Sequence, residues 1–91
     1  MSYRVSFTKK ARKQLKKLDP TVAKAIFHWI DKNLENCDNP RTHGKGLTSN
    51  RSSEWRYRFG KYRIIAQIID DELIINVIKI GLRNSVYDEK R

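Results

Sequence analysis

The chain has 91 residues, with 20 Lys and Arg against 10 Asp and Glu, for a net charge of +10. That length suits a single domain, residues 1–91, with one modest core. No run of about 18 apolar residues is present, so no membrane span or membrane partner is expected. Its opening residues, Met1 to Phe7, lack the apolar stretch of a secretory signal. A lone Cys37 excludes an internal disulfide framework and points to a reducing, cytoplasmic compartment. A positive field this strong on 10.8 kDa favours a polyanionic partner.

Taken in chain order, Tyr3, Val5 and Phe7 alternate with polar residues and predict a first strand. Thr8 is a fair helix cap. A helix follows over Lys9–Leu18, with Ala11, Leu15 and Leu18 as its buried stripe and Lys9, Lys10, Arg12, Lys13, Lys16 and Lys17 on its other faces. Residues 1–18 contain no acid. Asp19-Pro20 breaks that helix and opens a second, over Pro20–Asn36, with Asp19 as cap. Val22, Ile26, Trp29, Ile30 and Leu34 form its apolar stripe, and the short link predicts a helical hairpin. His28 reads as a structural or surface residue.

Asn36 to Ser53 is the longest irregular stretch, rich in Pro, Gly, Ser and Thr, and it also carries Arg41, His43, Lys45 and Arg51. A loop of that length is often functional, and Leu47 is its candidate anchor to the core. Three strands follow: Trp55–Gly60, Tyr62–Ile69 and Glu72–Ile80. Asp70-Asp71 is the turn between the last two, Gly81 is the terminator, and 82–91 is a tail with room for one helical turn. The order β-α-α-β-β-β predicts an α+β fold, an N-terminal strand, an α-helical hairpin and a three-stranded antiparallel meander. Together they form one small sheet with the helices on one face. The other face is expected to be open.

The chemistry centres on Glu54-Trp-Arg-Tyr-Arg-Phe-Gly-Lys-Tyr-Arg63. Side chains alternate across a strand, so Arg56 and Arg58 share one face while Trp55, Tyr57 and Phe59 pack the other. The next strand returns Arg63 beside them. Three guanidiniums on one face repel one another, and a polyanion supplies the reason to gather them. His28, His43 and Cys37 lack metal-ligand spacing, so no metal and no cofactor is expected. Gly44-Lys-Gly46 is too short to cradle a phosphate chain. What remains is chemistry on cations and the substrate itself. RNA carries its own nucleophile, the ribose 2′-hydroxyl, which a protein accelerates by alignment and by stabilising the phosphorane charge. Arginine forks match phosphate oxygens in pairs, and an aromatic ring such as Tyr87 stacks a base.

Three segments carry a family resemblance. They are Tyr3-Arg-Val-Ser-Phe with Ala11-Arg-Lys-Gln-Leu-Lys-Lys-Leu18, Trp55-Arg-Tyr-Arg-Phe-Gly-Lys-Tyr-Arg-Ile-Ile65, and Ile78-Lys-Ile-Gly-Leu-Arg83 with Val86-Tyr87. Nearly the whole chain resembles the RelE/ParE superfamily of bacterial toxins from toxin–antitoxin modules, the RelE branch in particular. The resemblance implies a ribosome-dependent mRNA endonuclease that cuts by 2′-hydroxyl attack. It also implies a cognate acidic antitoxin, and operator DNA bound only through the antitoxin complex.

By the same resemblance, Arg56 and Arg58 stand where the family places basic residues on its active strand. Arg63 stands at the phosphate-stabilising arginine, Arg83 at the arginine assisting the leaving group, and Tyr87 at the tyrosine that stacks on mRNA. Lys9, Lys10, Lys13, Lys16, Lys17, Lys45, Arg51 and Lys61 are the candidate RNA and ribosome contacts. Two departures stand out. Arginine stays protonated and is a poor general base, leaving Lys61, a ribosomal group or no strong base at all as alternatives. Many relatives also carry His where Leu82 stands. A gyrase-inhibiting toxin of the same fold and a non-catalytic RNA-binding or interaction module remain the competing readings.

Overall fold

The computed structural model describes residues 2–46 and 54–82. Strand β1 spans Arg4–Phe7, helix α1 Lys9–Lys16 and helix α2 Pro20–Asn33. Strands β2 (Lys45–Gly46), β3 (Glu54–Phe59), β4 (Tyr62–Ile69) and β5 (Ile74–Leu82) complete the chain, with a single 3₁₀ turn at Asp70–Glu72. They form one five-stranded sheet in the order β1-β5-β4-β3-β2. β1 runs parallel to β5, and every other pairing is antiparallel.

The expected α+β architecture and its β3-β4-β5 meander are present, with one strand more than the sequence suggested. Lys45–Gly46 pairs with Arg56 and Trp55 inside the stretch expected to be irregular. Two residues carry no periodic signal, so nothing local marks this strand. The last strand also runs through Gly81 to Leu82, because Arg63 and Tyr62 of the neighbouring strand pair with those two residues.

Both helix caps lie where the sequence puts them. The Thr8 hydroxyl accepts from the Ala11 amide at 3.0 Å, and the Asp19 carboxylate accepts from the Thr21 amide at 3.0 Å, with Pro20 in the first turn. Each satisfies an amide that the helix itself leaves unpaired. Both helices stop short of their expected ends. Asp19 must be extended ahead of Pro20. Asn36 takes a left-handed φ of 64°, and the chain then turns to pair with Tyr3: the Asn36 amide donates to the Tyr3 carbonyl at 2.8 Å, and the Tyr3 amide to the Cys37 carbonyl at 2.9 Å.

The core lies between helices and sheet. Ala11 of α1 and Ile26, Ile30 and Leu34 of the α2 segment pack with Tyr57, Ile64, Ala66, Ile68, Ile75, Val77 and Ile80. A register shift between Ile65 and Ala66 makes this possible: Ile64 pairs with Ile80, but Ala66 pairs with Val77 and Ile68 with Ile75. The extra residue on β5 flips its alternation, so Ile75, Val77 and Ile80 all reach the helix-covered face. β1 covers only residues 74–77 of β5. Beyond it, the Gln14 side chain of α1 accepts from the Ile80 amide at 2.8 Å, satisfying a group the short strand leaves open.

No helix among the described residues is long and apolar enough to cross a membrane. Cys37 is half-buried, and burial pushes its thiol above the ordinary range, which disfavours the reactive thiolate.

Candidate functional site

The β3–β4 hairpin places the arginines. Arg58 pairs with Arg63, and Arg56 with Ile65, while Tyr57 pairs with Ile64 in the core. Partners across an antiparallel pair share a face. Arg56, Arg58 and Arg63 therefore stand on the side away from the helices, with Gly60, at φ 59°, closing the hairpin between them. Trp55, Tyr57 and Phe59 pack against the core, as the alternation requires. The arginine face is less open than expected. Arg63 is only 8% exposed and Ile65 only 4%, so Arg63 is held far more firmly than a solvent-facing arginine.

One cleft of about 520 Å³ collects these residues. Its lining is Arg56, Arg58 and Arg63 from the hairpin, His43, Gly44 and Lys45 from the segment entering β2, and Trp29 from α2. That volume falls within the range of small-ligand pockets. The sequence placed Trp29 in the core stripe of α2. It packs there, half-buried, in tilted contact with Tyr57 at 5.8 Å, and it also reaches the cleft, edge-on to His43 at 5.6 Å between ring centroids.

Several contacts hold the 40–45 segment against β3. The buried Tyr57 hydroxyl donates to the Pro40 carbonyl at 2.7 Å, and the Trp55 indole donates to the His43 carbonyl at 2.6 Å. Arg41 lies over the Trp55 ring at 5.8 Å and forks onto Asp70, with Nη1 to Oδ1 at 3.1 Å and Nη2 to Oδ2 at 3.0 Å. The Tyr3 hydroxyl donates to Asp70 Oδ1 at 2.6 Å. These two donors, Arg41 foremost, hold the Asp70 carboxyl below the usual range. Gly44 has φ 78°, and a side chain there would meet the Arg56 carbonyl at 2.2 Å. Only glycine lets the chain lie this close to β3.

Of the remaining candidates, Lys9, Lys10, Arg12, Lys13, Lys16 and Lys17 are exposed on and just after α1, apart from the cleft lining. Lys45 is in the lining. Lys61 is exposed at the hairpin turn, outside the cleft lining. Arg51, Arg83 and Tyr87 lie outside the described residues, as do Leu47 and residues 83–91 of the expected tail. Sequence reasoning missed Trp29 and His43 as cleft residues. The one available signal for His43 was its place beside Gly44-Lys-Gly46 in a long basic loop.

A small α+β sheet protein with a cationic cleft on one hairpin is the class this fold and site define. The family model for the ParE toxin of the type II toxin–antitoxin system parDE matches residues 5–87. A protein of Escherichia coli described as RelE-like toxin is 35% identical, covering 97% of this chain and 93% of the relative. The mRNA interferase toxin RelE of Escherichia coli K12 is 29% identical over 98% of this chain and 94% of its own length. The toxin–antitoxin complex RelBE2 from Mycobacterium tuberculosis contains a chain that superposes with a TM-score of 0.80 at 28% identity, covering 91% of this chain and 93% of that one. The chain belongs to the RelE/ParE superfamily of toxins of type II toxin–antitoxin systems.

Proposed function

We propose that this toxin is a ribosome-dependent, metal-independent mRNA endonuclease. In this reading the translated message enters the arginine cleft, and the 2′-hydroxyl attacks the adjacent phosphate. The observation that carries the reading is the convergence of Arg56, Arg58 and Arg63 in one cleft, with Arg63 buried. Guanidiniums suit the charge that gathers on the non-bridging oxygens of the phosphorane. The name mRNA interferase on relatives of near-complete overlap supports the same reading. Arg83 and Tyr87 enter it as the leaving-group arginine and the base-stacking ring. Lys9, Lys10, Lys13, Lys16, Lys17, Lys45, Arg51 and Lys61 enter it as RNA and ribosome contacts. A cognate acidic antitoxin is the proposed protein partner, by analogy with the solved toxin–antitoxin complexes of similar chains. Operator DNA is reached through that complex, in the cytoplasm.

Primer extension on mRNA in a translating extract tests the reading. Cuts within translated codons are expected, with 2′,3′-cyclic or 3′-phosphate ends and no loss on chelation that leaves ribosomes intact. Products with 3′-hydroxyl ends, or no cuts at all, overturn it. The ParE name of the matching family model favours one second reading, a gyrase-inhibiting toxin. A supercoiling assay with purified gyrase separates the two.

A further inference from the structure

In the proposed reaction every proton lost by the 2′-hydroxyl must find an acceptor, and the arginines of the cleft are unsuited to that task because a guanidinium stays protonated. Lys61 is outside the cleft lining. A group in the cleft that both takes and returns a proton would serve, and imidazole is the side chain whose ordinary titration lies near neutrality.

We infer that His43 is the proton-transfer residue of this cleft, acting on the ribose 2′-hydroxyl of a single-stranded RNA substrate. Resting on the nuclease reading, the inference has three geometric supports. His43 lines the same cavity as Arg56, Arg58 and Arg63. Its ring packs edge-on against Trp29, and its own carbonyl is tied to the Trp55 indole. Gly44 then brings the chain onto the Arg56 carbonyl, a contact no other residue permits. The 40–44 backbone is thus anchored at both Pro40 and His43 to consecutive members of one core face, Tyr57 and Trp55. The backbone that carries the exposed His43 ring is thereby held, and the edge-on contact with Trp29 orients the ring, as proton transfer within hydrogen-bond reach requires.

The step balances without a co-reactant. The O2′–P bond forms as the P–O5′ bond breaks. The 2′-hydroxyl proton passes to the unprotonated imidazole nitrogen, the departing 5′-oxygen takes a proton from water, and the imidazolium returns its own to the solvent. A 2′,3′-cyclic phosphate and a 5′-hydroxyl result. Arg56, Arg58 and Arg63 hold the phosphorane while this occurs. Lys45, the other titratable group of the lining, is a cation in water and belongs with them.

The test is single-turnover cleavage on programmed ribosomes, with ribosome affinity measured in parallel. His43→Ala is expected to slow cleavage about 100-fold, within the range for general acid–base groups, and added imidazole should restore part of the rate. His43→Phe keeps a ring against Trp29 but carries no proton, and should be as slow as His43→Ala with ribosome affinity unchanged. Should the alanine variant fail to fold, His43→Phe decides alone. A rate near the parental one for either variant, or a loss that imidazole does not repair, overturns the inference. A parent that cuts no mRNA overturns the nuclease reading beneath it, which is a different result from a parent that cuts and a His43→Ala that cuts equally well.

Discussion

Arg58 and Arg63 stand directly opposite each other across β3 and β4. Like charges at such a cross-strand position destabilise a sheet, by roughly 0.2–1 kcal/mol on the scale of these pairs. The strands nevertheless pair continuously from Glu54–Gln67 to Phe59–Tyr62, and Arg63 is buried in the process. A site that holds two cations this close is suited to an anion between them.

Relieving that pair should separate stability from activity. Arg58→Thr removes the repulsion and adds a good strand former, so its Tm should equal or exceed the parental value while mRNA cleavage falls. Arg63→Ala should retain its fold and ribosome binding but cut about 10²–10³ more slowly, the loss typical of one transition-state donor. Thermal denaturation beside single-turnover cleavage checks both. Parental cleavage by Arg63→Ala would remove it from the site.

Tyr57→Phe should be the most informative conservative change in the core. It leaves the Pro40 carbonyl without its buried donor, at a cost of about 1–3 kcal/mol. It also loosens the segment bearing His43. Urea denaturation should show the drop in midpoint, and cleavage should fall with it. Burial raises the Tyr57 hydroxyl well above the ordinary phenol value. Its contribution is therefore complete below about pH 10 and is lost as pH rises beyond that, a loss the Phe variant lacks.

Asp70 makes the opposite prediction at acid pH. Its carboxyl is depressed by Arg41 first and Tyr3 second. A depressed carboxylate contributes stability above its unfolded value, near 3.9, and loses it as pH falls through the folded one. Asp70→Asn should thus lower Tm modestly at neutral pH, because the pair with Arg41 is well exposed. The gap between parent and variant should close as pH falls through the depressed folded value. A gap that persists there would show that the cluster acts through shape alone.

Ribosome association should weaken steeply with salt, since each phosphate neutralised by a cation releases counterions. Lys13→Gln, Lys16→Gln and Lys17→Gln lie on an exposed surface away from the cleft lining. Combined, they should flatten the salt dependence and leave single-turnover chemistry at saturating ribosomes unchanged. Sedimentation across a several-fold range of salt reads the slope directly.

The arginine face was legible because alternation is local. Once Trp55, Tyr57 and Phe59 are taken as apolar partners of a core, Arg56 and Arg58 have one face left, and a short turn returns Arg63 beside them. Thr8 and Asp19 were legible as caps for the same reason, since each satisfies an amide two or three residues away. Helical spacing assigns Trp29 to the apolar stripe, and it does pack against the core; that it also lines the cleft is decided by its contacts with Tyr57 and His43, which lie far along the chain. Lys61 was one of several open candidates for a base, and the hairpin turn leaves it outside the lining.

The sequence by itself determined the first strand, the two helices and the β3-β4-β5 meander in order, the helical caps, the apolar stripe of α2 and the shared face of the arginines. All of these follow from spacing within a few residues. Only the tertiary structure decided the parallel docking of β1 on β5, the flip of β5 at its bulge, the short β2 and the presence of His43 in the arginine cleft. Each of these depends on non-local contacts: Tyr3 with Cys37, Tyr57 with Pro40, Trp55 with His43, and a bare glycine against the Arg56 carbonyl. Periodicity encodes which face a side chain takes, but the distance between two segments of chain is set by what the finished core allows to approach.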